Sequence, residues 1–308
     1  MTQHPPTVTP KNEDSLGGFL FALSAYLLWG FLPLYMKALA HVPPQEIIAH
    51  RVLWSLPVAA VVLIVQGRTA DLRRALRTPS MLKMGLVTAL LISVNWGFYV
   101  WAIAAGFALD AALGYYINPL FSIFIGAVLL KEGLTGLQKA AVALAALAVV
   151  VLTVEAGKLP VVAMALMLTW GFYAYFKKQL PIGPNQGFTL EVLIMTPFAL
   201  AYVIYAQITG TSHFLQGNPT DSWLLFGCGI VTAVPLMLYA NGAKKLRLST
   251  IGIMQYIAPT MIFLTAVFIF HEPFGTARMI AFPMIWAALV LYSVAMFRGR
   301  TRKPKAER

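Results

Sequence analysis

The sequence predicts an all-α integral membrane protein, ten transmembrane helices laid out as two inverted five-helix repeats. Three observations predict it. Hydrophobic residues make up 59% of the 308-residue chain and charged residues 11%, against about 45–50% and about 25% in soluble domains. Apolar runs near the ~20 residues that cross a bilayer core recur ten times. Finally, Tyr116-Ile-Asn-Pro119 returns as Tyr256-Ile-Ala-Pro259, 140 residues later, and each copy is followed thirteen residues after its proline by a glutamate, Glu132 and Glu272.

The runs fall at 17–37, 47–66, 83–105, 111–130 and 138–154, then at 159–177, 188–207, 222–243, 249–270 and 279–297. Each is continuous, whereas a barrel strand alternates over about ten residues, and a helix satisfies its own backbone in lipid. The first follows a polar, Pro-rich leader; it is too long for a signal peptide and lacks a small-residue cleavage site, so it reads as an uncleaved helix. Between the second and third, residues 68–83 place Arg73, Arg74 and Arg77 in helical register as an amphipathic connector. The first and sixth share Trp29-Gly30-Phe31 ahead of Lys37 and Trp170-Gly171-Phe172 ahead of Lys177 and Lys178. In the fourth and ninth, Pro119 and Pro259 each remove a backbone bond, freeing a carbonyl near Tyr115 or Gln255; they are the hinge candidates. The longest loop, 208–221, is rich in turn residues such as Gly210, Gly217, Asn218 and Pro219.

The resulting units are a leader at 1–16, repeats at 17–154 and 155–297, and a basic tail at 298–308. Five crossings per repeat is odd, so the second repeat traverses the membrane in the opposite sense to the first. Inverted repeats characterise transporters whose substrate site lies between the halves near the midplane.

The net charge of +12 is a topology signal rather than a nucleic-acid footprint. With a cytoplasmic N-terminus, 19 of the 23 basic residues lie in inside segments, and only Lys37, Lys158 and Arg278 fall outside, with Arg51 in a span. The positive-inside rule therefore puts both termini in the cytoplasm, and the tail suits anionic lipid. Cys228 is the single cysteine, so no disulfide framework or thiol metal site arises.

Inside the spans, Arg51 is the most costly residue, at about 2.5–3.5 kcal/mol for a central charge on insertion scales. Such residues face a cavity or a partner. Arg51 is a candidate for gating or substrate charge together with its neighbour His50; the competing reading is an interfacial residue or a fixed ion pair with Glu46. Glu191 occupies the matching place in the seventh span, as a gate or relay carboxylate or as a plain interfacial one. The third and fourth spans supply Asn95, Trp96, Tyr99, Tyr115, Tyr116 and Asn118, amides and rings suited to a small-molecule cavity. Gln255 and Tyr256 are the polar pair of the ninth. Glu132 and Glu272 read most simply as loop carboxylates paired with Lys131 or Arg278.

No phosphate-binding loop is present for ATP hydrolysis, the five His show no ligand spacing, and no hydrolase elbow appears. No cofactor, metal or enzymatic activity is expected, and uphill transport would draw on an ion gradient or exchange.

His50-Arg51-Val52-Leu53-Trp54-Ser55, Asn95-Trp96, Leu113 to Leu120, Leu246 to Thr250 and Gln255 to Thr260 resemble the RarD subgroup of EamA-domain permeases, in the drug/metabolite transporter superfamily. The resemblance covers nearly the whole chain after residue 17. It implies two EamA-like units of five helices in a bacterial inner membrane, a small-molecule substrate, and the "chloramphenicol-sensitive" label of that subgroup. It also implies a cavity lined by the first, third, fourth, sixth, eighth and ninth spans, placing Asn95, Trp96, Tyr116, Asn118, Gln255 and Tyr256 near it. The expected partners are a small-molecule substrate and membrane lipids, without nucleic acid; a homodimer stays open. The alternative class is a non-transporting membrane sensor or assembly scaffold, for which short loops leave only the basic tail as an interaction surface.

Overall fold

A computed structural model describes residues 15–301 except 130, 132, 244 and 247. The leader before residue 15, the tail beyond 301 and Glu132 therefore lie outside the described residues, as do Lys244 and Arg247 among the basic positions. All regular structure among the described residues is helical. Among the described residues nine helical stretches are long and apolar enough to cross a membrane, one of them the interrupted stretch Thr250–Ile269, and a tenth apolar stretch, Val161–Lys177, is shorter.

In order these are α1 (Leu16–Ala38), α2 (Pro44–Val65), α3 (Thr69–Arg77), α4 (Pro79–Ala104), α5 (Ala108–Leu129), α6 (Gly136–Ala156), α7 (Val161–Gln179), α8 (Pro184–Thr209), α9 (Pro219–Ala243), α10 (Leu248–Met254), α11 (Ile257–Leu264) and α12 (Thr276–Thr301), with a π-helical stretch Thr265–Ile269 after α11. Four helices begin at proline, a residue that fits the first helical turn because its missing N–H has no partner there. Their first turns are polar, as in Pro44-Gln-Glu46 and Pro219-Thr-Asp221, so they start about a turn before the apolar runs. Pro79 also ends the amphipathic connector, which is helical over Thr69–Arg77 only. Ser15 caps α1 by accepting from the Gly18 N–H, and Thr135 with Gln138 forms a capping box on α6.

The ninth apolar run is not one helix. Pro259 cannot donate to the carbonyl of Gln255, and the chain breaks there between α10 and α11. Pro119 lacks the same bond, yet α5 runs through it.

α1 packs on α9 and α11, α7 on α4 and α5, α2 between α8 and α9, and α6 against α12. Large apolar side chains such as Phe31, Val61, Ile64, Phe198, Ile208 and Phe268 remain exposed on the outside of the bundle, the lipid-facing surface of a chain that would otherwise present an aggregation-prone patch. Several tight helix contacts fall at glycines: Gly229 of α9 lies against the backbone of Trp54 in α2, Gly30 of α1 against Met261, and Gly171 of α7 against Phe121.

Candidate functional site

α1, α2, α4, α5, α7, α9 and the α10–α11 break surround a cavity of about 140 Å3; α6, α8 and α12 contribute nothing to its lining. Its register follows from helical spacing. Tyr115 and Asn118 on α5, and Gln255, Ala258, Pro259 and Ile262 across the break, repeat at three to four residues and so share one face. The adjacent Tyr116 and Tyr256 are rotated off that face and do not line the cavity, contrary to the sequence expectation. Tyr116 hydrogen-bonds Thr260 Oγ1 at 2.8 Å and packs edge-on against Phe282 and Trp286; Tyr256 packs into the main apolar cluster.

Arg51 lines the cavity and is 3% exposed. Its Nε donates to Thr232 Oγ1 at 3.0 Å and its guanidinium carbon sits 4.6 Å from the Trp96 ring centroid, a desolvated cation–π geometry. Its Nη1 is buried without a partner. The ion pair with Glu46 does not form. Glu46 instead accepts from the Ser212 hydroxyl, from the His213 and Phe214 backbone N–H groups and from the His213 ring, tying the 210–218 loop onto the start of α2. His50 is likewise outside the cavity: its Nδ1 accepts from the Trp54 indole at 3.0 Å and its ring meets Phe214.

Asn95 lines the cavity, but its amide hydrogens are committed to Leu166 O and Thr169 Oγ1 on α7, and its Oδ1 accepts from the Tyr115 hydroxyl. It therefore joins α4, α5 and α7 and leaves at most a carbonyl lone pair for a ligand. Tyr99 and Asn118 line the cavity with a hydroxyl and an Oδ1 that are buried and unpartnered. Gln255 lines it while its amide donates to Gly252 O at 3.1 Å.

The polar and aromatic lining residues missed by sequence reasoning are Tyr26, Trp29, Trp170, Tyr239 and Thr232. Trp29 and Trp170 were recoverable, since both belong to the repeated Trp-Gly-Phe motif. Thr232, a lone hydroxyl among apolar neighbours, gave no signal.

Glu191 is far from open water, at 2% side-chain exposure, and is held by Lys177 Nζ at 2.6 Å and the Tyr173 hydroxyl at 3.2 Å. Glu272 does not pair with Arg278. Its two oxygens accept from the Ala108 and Leu109 N–H groups at 2.7 and 2.9 Å, capping α5 across the bundle, while Arg278 pairs with Asp110 at 3.1 Å. No group of three His, Cys, Asp or Glu with metal-binding geometry occurs among the described residues.

A profile of the EamA-like transporter family matches residues 16–154 and again 159–294. An uncharacterized transporter of Vibrio cholerae is 42% identical over 287 residues, 93% of this chain and 95% of that one. Protein RarD of Escherichia coli K12 is 38% identical over 288 residues, covering 94% and 97%. Among solved proteins, one crystal structure superposes with a TM-score of 0.59 at 20% identity, over 91% of this chain and 98% of that chain.

Proposed function

The chain belongs to the EamA-like transporter family, as a permease of the RarD type, and on that premise we propose that it is a secondary carrier of small organic metabolites or drugs working by alternating access. The observation that carries this reading is the polar and aromatic cavity walled by helices from both halves of the chain and holding Arg51. Its size limits the cargo. About 140 Å3 is close to the ~150 Å3 cavity that holds a benzene and below the ~300 Å3 of drug-sized pockets, so a molecule as large as chloramphenicol requires a wider state.

In this reading the ten helices form two inverted repeats, with α10, α11 and the π stretch together as the ninth. Support comes from contacts that pair off near the 140-residue offset. Gly30 meets Met261 and Gly171 meets Phe121, so each half's first helix seats its glycine on the other half's fourth. α1 on α9 matches α7 on α4 in the same way. The broken α10–α11 segment is the kind of discontinuous helix that transporters place at a midplane site. Both termini face the cytoplasm of a bacterial inner membrane by the positive-inside count, and the Glu46, Glu272 and Asp110 contacts then close the outer end. With no nucleotide-binding loop in the sequence, energy comes from an ion gradient or from exchange.

The test is counterflow of labelled amino acids, small metabolites and chloramphenicol in proteoliposomes under an imposed pH gradient, beside empty vesicles and Asn95→Ala. Saturable flux that the variant lowers supports the carrier; protein-containing vesicles matching empty ones for every solute and gradient refute it.

A further inference from the structure

We propose that the central cavity takes a small organic monoanion, a carboxylate on a compact apolar or aromatic body, with the Arg51 guanidinium as its counter-charge. The proposal deepens the carrier reading and rests on it for treating the ligand as cargo.

Arg51 is the single charged side chain lining the cavity among the described residues. Among the described residues each buried or partly buried carboxylate has a partner. Glu46 is held by Ser212 and His213, Glu191 by Lys177, Glu272 by the start of α5, Asp110 by Arg278 and Asp221 by His41. None of these carboxylates touches Arg51. A buried cation with one hydroxyl and one ring for company is incompletely compensated, and its Nη1 is a buried donor without a partner on a residue that lines the cavity. Buried and unpaired donors are costly unless something meets them.

The chemistry of the missing group follows from the donors. A guanidinium fork pairs with a planar carboxylate through two parallel bonds or with a phosphate. One cation without a second basic residue balances one negative charge, which favours the carboxylate over a phosphate dianion. The Tyr99 hydroxyl, buried and unpartnered on the same cavity, is a further donor. The rest of the lining combines rings such as Trp29 and Trp170 with aliphatic side chains such as Leu32 and Leu236 and amides such as Asn118 and Gln255. The rings and aliphatic groups suit a flat or short apolar body, and no cavity carboxylate is present among the described residues to hold an ammonium.

The experiment is ligand-induced stabilisation and tryptophan quenching of the purified full-length protein at neutral pH. The probes are benzoate, phenylacetate and butyrate, each beside its neutral amide, with phenyl phosphate and phenethylammonium as further arms. Carboxylates should bind saturably and at least about tenfold more tightly than their amides, since charge-assisted bonds are roughly twice as strong as neutral ones. Arg51→Gln should lose that preference, and Arg51→Lys should keep part of it. Amides equal to acids, preference for the phosphate or the ammonium, no carboxylate binding, or undiminished binding in Arg51→Gln each overturns the proposal. Should Arg51→Gln fail to fold, the acid-to-amide ratio of the wild type decides. Carboxylate binding without flux of any solute in vesicles would remove the carrier reading and leave this one; flux of neutral or cationic solutes without carboxylate binding would do the reverse.

Discussion

Replacing Gly229 by alanine perturbs fold and site through one contact. A Cβ at Gly229 would lie 2.1 Å from the Trp54 carbonyl carbon, 2.3 Å from its oxygen and 2.5 Å from its Cβ. Two of these are backbone atoms, which no rotamer change can move. Relief to an ordinary contact of about 3.4 Å requires α9 to retreat from α2 by about 1.3 Å at that point. Thr232 lies one turn further along α9, so its 3.0 Å bond from Arg51 would stretch to roughly 4 Å, beyond hydrogen-bond range. Overpacking of this kind costs about 1–3 kcal/mol, and losing a bond to a charged group adds about 1.5–3 kcal/mol. Gly97→Ala is the control, because its Cβ would meet only Ile48 Cδ1, at 3.4 Å. In detergent, Gly229→Ala should lower the midpoint of thermal unfolding by several degrees and weaken carboxylate binding, with Gly97→Ala at or above wild type. An unchanged midpoint and unchanged binding in Gly229→Ala would mean that α2 and α9 do not touch backbone to backbone, and the geometry around Arg51 would fall with that contact.

Three further substitutions separate the roles of the remaining polar groups. Glu272→Ala strips partners from two N–H groups at the start of α5 and should destabilise by about 2–5 kcal/mol, with Glu272→Gln about half as harmful because one acceptor survives; equal stability of all three proteins by thermal unfolding would rule out the cap. Lys177→Met alone leaves Glu191 buried and uncompensated, a loss of about 3–5 kcal/mol, whereas the double change Lys177→Met with Glu191→Leu should recover most of it; a double mutant as unstable as the sum of the singles would contradict a pair. Pro259→Ala restores an N–H to face the Gln255 carbonyl and should join α10 to α11, slowing counterflow while leaving ligand affinity within about threefold; undiminished flux would exclude the break as a moving part.

The sequence made the helices legible and their ends less so, for a reason visible at Pro44, Pro79, Pro184 and Pro219. Hydropathy registers the apolar middle of a span, while proline and polar residues of the first turn belong to the helix but not to the apolar run. The cavity face was half legible. Residue type marked Asn95, Trp96, Tyr99, Asn118 and Gln255, all of which line it. Residue type and the family resemblance also point to Tyr116 and Tyr256, which are absent from the lining; recurrence at a fixed offset says that two positions share an environment without saying which. Here the shared environment is the packed side of each helix. Arg51 and Glu46 lie five residues apart on one helix, about 140° around its axis, and so were poorly placed to pair; helical geometry argued against the ion pair before any contact was known. Partners of Glu46 and Glu272 come from loops and helix ends 163 to 168 positions away, which no local pattern announces.

The charge of the cavity is best understood as a break in the duplication. Lys37 and Lys177 follow the repeated Trp-Gly-Phe motif at six and five residues after its phenylalanine, and residues 51 and 191, 140 positions apart, are Arg51 and Glu191. In the second half the lysine meets the carboxylate at 2.6 Å, and the pair is neutral and fixed. In the first half an arginine stands where that carboxylate would be. Lys37 consequently has no acid to join and turns to the Ile103 carbonyl and the Phe270 ring, while Arg51 turns to Thr232 and Trp96. Two cations replace a cation and an anion, and one of them is left facing the cavity. A frame built twice would balance its charges twice; exchanging a single residue in one copy leaves the site with a net positive charge, which a passing anion can neutralise without being held by a permanent partner.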